Sequence, residues 1–70
     1  MKPKPPNRFL FNNSVIGESG FYQGLIGVVK KEHLKYTSQS PWPEVFYDVH
    51  FPEIGGTVWV ESCHLKRCAK

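Results

Sequence analysis

Three closely spaced glycines in the segment ESGFYQGLIGVV constrain the fold of this 70-residue chain more than any other feature. Gly20 and Gly24 allow the positive φ angles that a tight turn requires. Gly27 lies among apolar residues of high β propensity, where the missing side chain permits a bulge or a sharp bend. The segment therefore predicts a turn followed by a curled strand, with Ile26 and Val28 facing the core.

The rest of the chain alternates between short β-type segments and turns. The candidate strand over residues 25–36 is expected to run into a loop at its polar end, and a short 3₁₀ turn is expected just before the last candidate strand. The candidate strands are Arg8–Ile16, Leu25–Tyr36, Val45–Phe51, Thr57–Glu61 and Leu65–Cys68. Alternation along the third strand puts four residues on one face. These are Val45, Tyr47, Val49 and Phe51. Five short strands at regular spacing are typical of a small barrel or sandwich.

The start of the chain differs from the rest. Residues 1–7 contain three prolines and predict an extended tail, because proline removes backbone donors and disfavours helix. Residues 8–70 are enough for one small domain. The tail has no apolar run of the kind found in a secretory signal, and no stretch approaches the roughly 20 apolar residues that span a bilayer. We therefore expect a cytoplasmic protein.

The glycine-rich segment resembles a KOW motif, in which a basic or polar position precedes Gly-x-x-Gly-x-Val. Gly20, Gly24 and Gly27 match its glycines, Val28 falls in its valine segment, and Gln23 stands where the family often has a basic residue. The later stretches YDVHF and TVWVESCHL resemble the closing strands and 3₁₀ turn of an SH3-like barrel. The resemblance covers roughly residues 15–66. It implies an all-β fold, a five-stranded SH3-like barrel with an extended N-terminal tail.

The same resemblance implies a function in binding RNA or the transcription or translation machinery. A protein-protein adaptor or inhibitor that docks on a larger protein is the alternative. More distantly, the chain is similar to the plasmid-type (type II) dihydrofolate reductases, which are short barrels that form tetramers. Their Val-Gln-Ile-Tyr segment corresponds here to Val58-Trp59-Val60-Glu61, which has neither the Gln nor the Tyr.

Aromatic residues make up 14% of the chain, more than a small core needs. Trp59 stands between two inward-facing valines and is expected to face outward, as is Phe46 on the preceding strand. Such rings stack on bases or anchor a protein partner, and clustered basic residues bind phosphates or an acidic partner. The alternative is that the tail, or Pro41 and Pro43, covers the rings in a second small core. The predicted binding residues are Phe21, Tyr22, Lys30, Lys31, Lys35, Trp42, Trp59, Lys66 and Arg67.

The sequence contains no evident catalytic set, and we expect a non-enzymatic binding module. His33 and His50 lack a nucleophile partner, and no phosphate-binding Gly-Lys-Ser/Thr loop is present. Cys63 and Cys68 lack the tight spacing of zinc ligands, and the adjacent Cys63 and His64 would point apart on a strand. We therefore expect no metal, no cofactor and, in a reducing cytosol, free thiols.

Overall fold

A computed structural model of the chain describes residues 5–68 and has an all-β fold. The strands are β1 (Ser14–Gly17), β2 (Ile26–Lys35), β3 (Glu44–Phe51), β4 (Gly56–Glu61) and β5 (Leu65–Arg67). A first 3₁₀ turn, Gly20–Tyr22, follows β1, and a second 3₁₀ turn, Ser62–His64, joins β4 to β5. The predicted all-β class is confirmed. Across residues 5–68, none of the helical segments has the length and apolar character needed to cross a membrane.

All five strands belong to one antiparallel sheet in the order β4-β3-β2-β1-β5. Strands β2, β3 and β4 form a meander, and β1 lies between β2 and β5. Strands β4 and β5 are therefore the two edges of the sheet, and the second 3₁₀ turn carries the chain from one to the other. The described strands form no ladder between these edges, so the sheet is not closed into a barrel.

The core lies on one face of the sheet, where apolar side chains leave water. The inward set predicted for β3 is confirmed as fully buried: Val45, Tyr47, Val49 and Phe51. The alternation predicted for β4 also holds, since Val60 is buried and Val58 packs against the core. The other buried apolar residues are Phe9, Val15, Tyr22, Val29 and Leu65.

The inward face of β2 was predicted in the wrong phase. Gly27 and Val29 face the core, whereas Ile26 is exposed and Val28 lies on the outer side. A Cβ at residue 27 would lie 2.5 Å from Cγ1 of Val49 and 2.8 Å from the ring of Phe51. Glycine is required there because β2 and the β3 side chains approach too closely for any larger residue.

A β-bulge in β2 lies at Lys30 and not at the glycine. Val29 pairs with Val49, but the next pair is Lys31 with Asp48, so Lys30 is the extra residue. The bulge reverses the alternation of everything that follows it on β2. The polar end of β2, predicted as a loop, remains paired with β3 as far as Lys35.

The first predicted strand is shorter than expected. The strand begins at Ser14, and residues 8–13 form an irregular segment, the strap, in which Asn12 and Asn13 still exchange backbone hydrogen bonds with Val29. Asn12 has a φ of 68° there, and the Asn13 N–H donates to the Leu10 carbonyl. This turn ends the straight path of the chain, and it allows the buried Phe9 to enter the core.

Candidate functional site

The outer side of β2, β3 and β4 carries a cluster that we call the outer face: Lys31, His33, Phe46, Asp48 and Trp59. Cross-strand register brings these residues together, since Asp48 pairs with both Lys31 and Trp59, and Phe46 pairs with His33. Directly opposed residues point to the same side of a sheet. Because the alternate residues of β3 are buried, the outer face must turn toward solvent.

The rings of the outer face make a partly open aromatic platform. The Phe46 and Trp59 ring centroids are 4.8 Å apart with an interplanar angle of 33°. The His33 ring stands edge-on to Trp59 at 6.1 Å and 88°. Trp59 is still 63% exposed, so its neighbours hold it in place without covering it. The prediction that Trp59 faces outward is confirmed.

The charges of the outer face have both signs. His33 Nε2 lies 3.2 Å from Asp48 Oδ1, which places this carboxylate against the imidazole. Lys31 is opposite the same carboxylate in register and is exposed. The outer face therefore combines an aromatic surface with the exposed Lys31, and its carboxylate, that of Asp48, already lies beside His33.

Lys31 also borders a second feature, the basic cleft, which lies between the strap and β2. This cleft of about 320 Å³ has Arg8, Phe11, Lys30 and Lys31 among its walls. Phe11 is 67% exposed, and the Lys30 ammonium lies 5.8 Å from the centre of its ring. The Lys30 ammonium also donates to Asn12 Oδ1 at 3.4 Å. The outer face and the basic cleft therefore meet at Lys31.

A hydrogen-bond network fixes the floor of the basic cleft. The guanidinium of Arg8 donates twice to the Glu32 carboxylate, both at 2.7 Å. The Tyr47 hydroxyl donates to the same carboxylate at 2.7 Å and accepts from the Phe9 N–H at 2.8 Å. These contacts attach the strap to β2 and β3, and they occupy the cleft's one acidic group.

The network shifts the acid–base behaviour of its members. The hydrogen bond from Arg8 is the main reason that the pKa of Glu32 lies below its usual value, although burial opposes the shift. Burial chiefly raises the pKa of Tyr47. The pair with Glu32 raises the pKa of Arg8 above its usual value. At neutral pH the cleft floor is therefore an ion pair with a neutral phenol.

Three of the predicted binding residues contribute to these two features: Lys30, Lys31 and Trp59. Lys35 is exposed at the far end of β2, opposite Glu44. Lys66 and Arg67 lie on β5, where Lys66 Nζ is 4.0 Å from Glu18 Oε2. The predicted basic residues thus form two separate groups, one on the interior strand β2 and one on the edge strand β5.

The two aromatic residues predicted in the glycine-rich turn separate. Phe21 is exposed on the first 3₁₀ turn, edge-on to Tyr22 at 5.4 Å. Tyr22, in contrast, is only 9% exposed and stacks on Phe51 at 5.6 Å. Its expected place on the surface is corrected here, because a core of this size uses the ring to cover the end of β3.

Trp42 borders a separate cleft of about 470 Å³ on the loop between β2 and β3. Pro5, Pro6 and Pro43 also line this cleft. The last residues of the tail therefore lie beside Trp42, as one of the sequence-based alternatives supposed, but Trp59 stays outside that contact. The outer face is distinct from the cleft at Trp42.

Within residues 5–68, one group able to hold a metal lies on the second 3₁₀ turn and the end of β4. Glu61, Cys63 and His64 each place a ligand atom within 4.8 Å of the other two. Cys63 and Cys68 are free thiols. Partial burial, followed by the charge of Glu61, raises the pKa of the Cys63 thiol, which favours the protonated and less nucleophilic form.

Sequence reasoning missed Phe11, His33 and Asp48 as members of the site. Asp48 was predictable from the outward phase of β3 that also marked Phe46, whereas His33 lies on β2 beyond the bulge that reverses the alternation of that strand. Phe11 had no such signal, since its exposure depends on the irregular strap. Comparison of the chain with protein-family models, with curated proteins and with solved structures found no match.

Proposed function

We propose that this chain is a small non-enzymatic binding module of the KOW-like, SH3-like type, and that it holds single-stranded RNA across the outer face and the basic cleft. The observation that carries the proposal is the exposed Trp59 ring, which Phe46 supports at 4.8 Å. Asp48 lies between Trp59 and Lys31 in the register, so the lysine is on the same side of the sheet as the ring. An aromatic platform next to lysines suits a ligand that has both planar bases and phosphates.

The strand order supports the SH3-like part of the proposal. In an SH3-like barrel, β2, β3 and β4 form a meander and β1 lies between β2 and β5. The sheet has this order, and it is open between its edge strands β4 and β5. The 3₁₀ turn at Ser62–His64 lies where the resemblance to this fold puts it. Barrels of this kind host many roles, so the proposed function rests on the site and not on the fold.

Base stacking accounts for the aromatic part of the surface. A base laid on the open side of Trp59 would extend the contact that this ring already makes with Phe46. Stacking on one ring contributes about 1–3 kcal/mol. Phe11 offers a second exposed ring beside the basic cleft, so successive bases would meet two platforms with Lys30 and Lys31 near them.

The phosphates of the same strand would be bound by the lysines. Arg8 is occupied by Glu32, so the cleft's cations available to a ligand are Lys30 and Lys31, with Lys35 farther along β2. With about three phosphate contacts, the slope of log affinity against log salt is about −2, and affinity falls about 20-fold between about 50 and about 200 mM salt.

Fluorescence anisotropy with a labelled oligouridylate tests the proposal. Trp59→Ala should weaken binding by about 5-fold to 150-fold, the equivalent of one lost stacking contact. Tyr36→Ala is the matched control, because Tyr36 is 74% exposed and lies beyond the end of β2. Affinity that is independent of salt, or equal in the two variants, would rule out an RNA site on the outer face.

A protein partner is the second candidate, and the cleft at Trp42 is the observation that favours it. This cleft places three prolines beside Trp42 and is larger than the basic cleft. Capture from lysate with and without nuclease distinguishes the two candidates. Retention of a protein that survives nuclease and is lost with Trp42→Ala, but not with Trp59→Ala, would favour the adaptor or inhibitor.

A further inference from the structure

The second 3₁₀ turn gathers three different ligand types on a few consecutive residues. Glu61 ends β4 and offers a carboxylate oxygen, Cys63 offers sulfur and His64 offers an imidazole nitrogen. Their ligand atoms all lie within 4.8 Å of one another. The expectation that Cys63 and His64 point apart applied strand alternation to them, but both residues lie on the 3₁₀ turn Ser62–His64, where their ligand atoms converge.

We propose that Glu61, Cys63 and His64 form a site for a divalent transition-metal ion, with Zn²⁺ as the preferred occupant and water as the fourth ligand. This proposal is independent of RNA binding. Thiolate and imidazole select borderline-soft ions such as Zn²⁺, whereas Mg²⁺ and Ca²⁺ require sites built from oxygen. On binding, the Cys63 thiol releases its proton to solvent and its sulfur donates to the metal.

The geometry needs only a small closure. An ion at about 2.0–2.3 Å from tetrahedral ligands holds those ligand atoms about 3.3–3.7 Å apart. The ligand atoms lie within 4.8 Å of one another, so their separations have to shrink by about 1.5 Å at most, which side-chain rotation at a surface position supplies. Cys63 and His64 are both exposed, so neither has to break a core contact in order to rotate.

The backbone beneath the site is already held in place. The residues on both sides of the exposed pair, Ser62 and Leu65, are buried. The carbonyl of His64 accepts the N–H of Glu18 at 2.8 Å, which joins the turn to the end of β1. Preorganised ligands bind a metal more tightly than a flexible loop does, because less ordering accompanies binding.

Cobalt titration of the full chain tests the site, since Co²⁺ is a coloured substitute for Zn²⁺. The wild-type protein should show a thiolate-to-cobalt charge-transfer band and the intense visible bands of tetrahedral cobalt. Cys63→Ser should abolish the charge-transfer band. Cys63→Ser, His64→Ala and Glu61→Gln should each lower Zn²⁺ affinity by at least about 10-fold, as measured by competition with a chromogenic chelator.

Two matched controls define the outcome. Cys68→Ser removes the other free thiol and His50→Ala removes a histidine from the middle of the sheet, and both should bind Zn²⁺ as the wild type does. Circular dichroism checks that each variant is folded. A charge-transfer band that persists in Cys63→Ser, or disappears in Cys68→Ser, would assign the sulfur ligand elsewhere and overturn the proposal.

A measurement on the unaltered protein covers the case in which a variant fails to fold. Alkylation by iodoacetamide, followed by peptide mapping, reports each cysteine separately. Zn²⁺ should slow the alkylation of Cys63 and leave that of Cys68 unchanged. Equal rates with and without Zn²⁺ at Cys63 would also overturn the proposal.

Discussion

The Tyr47 hydroxyl is the buried centre of the network that attaches the strap to β2 and β3, and Tyr47→Phe removes it without altering the ring. This hydroxyl donates to Glu32 Oε2 at 2.7 Å and accepts from the Phe9 N–H at 2.8 Å. Tyr47 is fully buried and Phe9 nearly so. Water therefore has little access to replace the lost oxygen, and we expect a large decrease in the free energy of unfolding.

The magnitude follows from the two bonds. A hydrogen bond to an ionised group contributes about 1.5–3 kcal/mol, and a buried N–H without a partner costs about 1–3 kcal/mol. Folding of the variant no longer removes a hydroxyl from water, which offsets part of these two costs. We therefore expect the free energy of unfolding to fall by about 3 kcal/mol. For a domain of this length, that corresponds to a decrease in Tm of about 12–24 °C.

Urea denaturation followed by tryptophan fluorescence, together with thermal melting, measures the loss. Tyr36→Phe is the matched control, because its hydroxyl is on an exposed side chain and its removal should change stability by less than about 0.5 kcal/mol. A double-mutant cycle with Glu32→Gln should give a coupling energy above about 0.5 kcal/mol. If Tyr47→Phe lowers the free energy of unfolding no more than Tyr36→Phe does, the network does not stabilise the attachment of the strap.

Two further predictions concern stability. Because the pKa of Glu32 is lower in the folded chain than in the unfolded one, its carboxylate stabilises the fold at neutral pH, and this stabilisation is lost as the pH falls through the folded pKa. The urea midpoint of Glu32→Gln should therefore fall less than that of the wild type between about pH 6 and about pH 3; parallel curves would contradict this. Gly27→Ala should lower the free energy of unfolding, measured by urea denaturation, by about 1–3 kcal/mol, since its Cβ would meet buried side chains. Gly56→Ala, with open space around it, should lose nothing, and equal losses would show that the close approach is unimportant.

Much of the fold was predictable because its signals are local. The alternation of β3 and β4 identifies both the core and the outer face, since a side chain on a paired strand has only two directions available. Gly20 and Gly24 do adopt positive φ angles, as their place in a turn requires. The strap was not predictable in the same way. Its path depends on Tyr47 and Glu32, which lie far along the chain from Phe9.

The site was predictable only where it follows strand alternation. Trp59 was identified in that way, whereas Tyr22 was misassigned because a 3₁₀ turn has no two-sided pattern that separates buried from exposed rings. The metal-capable trio was missed for a related reason. Strand alternation was applied to Cys63 and His64 although a 3₁₀ turn was predicted over the same stretch, and on that turn their ligand atoms converge.

The bulge at Lys30 connects the fold to the proposed binding surface. Without the extra residue, alternation from Val29 would turn Lys31 toward the core and Glu32 toward solvent. The bulge instead exposes both lysines and places Glu32 opposite Tyr47, where Arg8 neutralises it. The register shows this reversal, because the inward residues of β2 are odd-numbered up to Val29 and even-numbered after Lys30. One inserted residue thus creates the cation pair of the basic cleft and the network beneath it, so the cleft and the stability of the strap have the same structural origin.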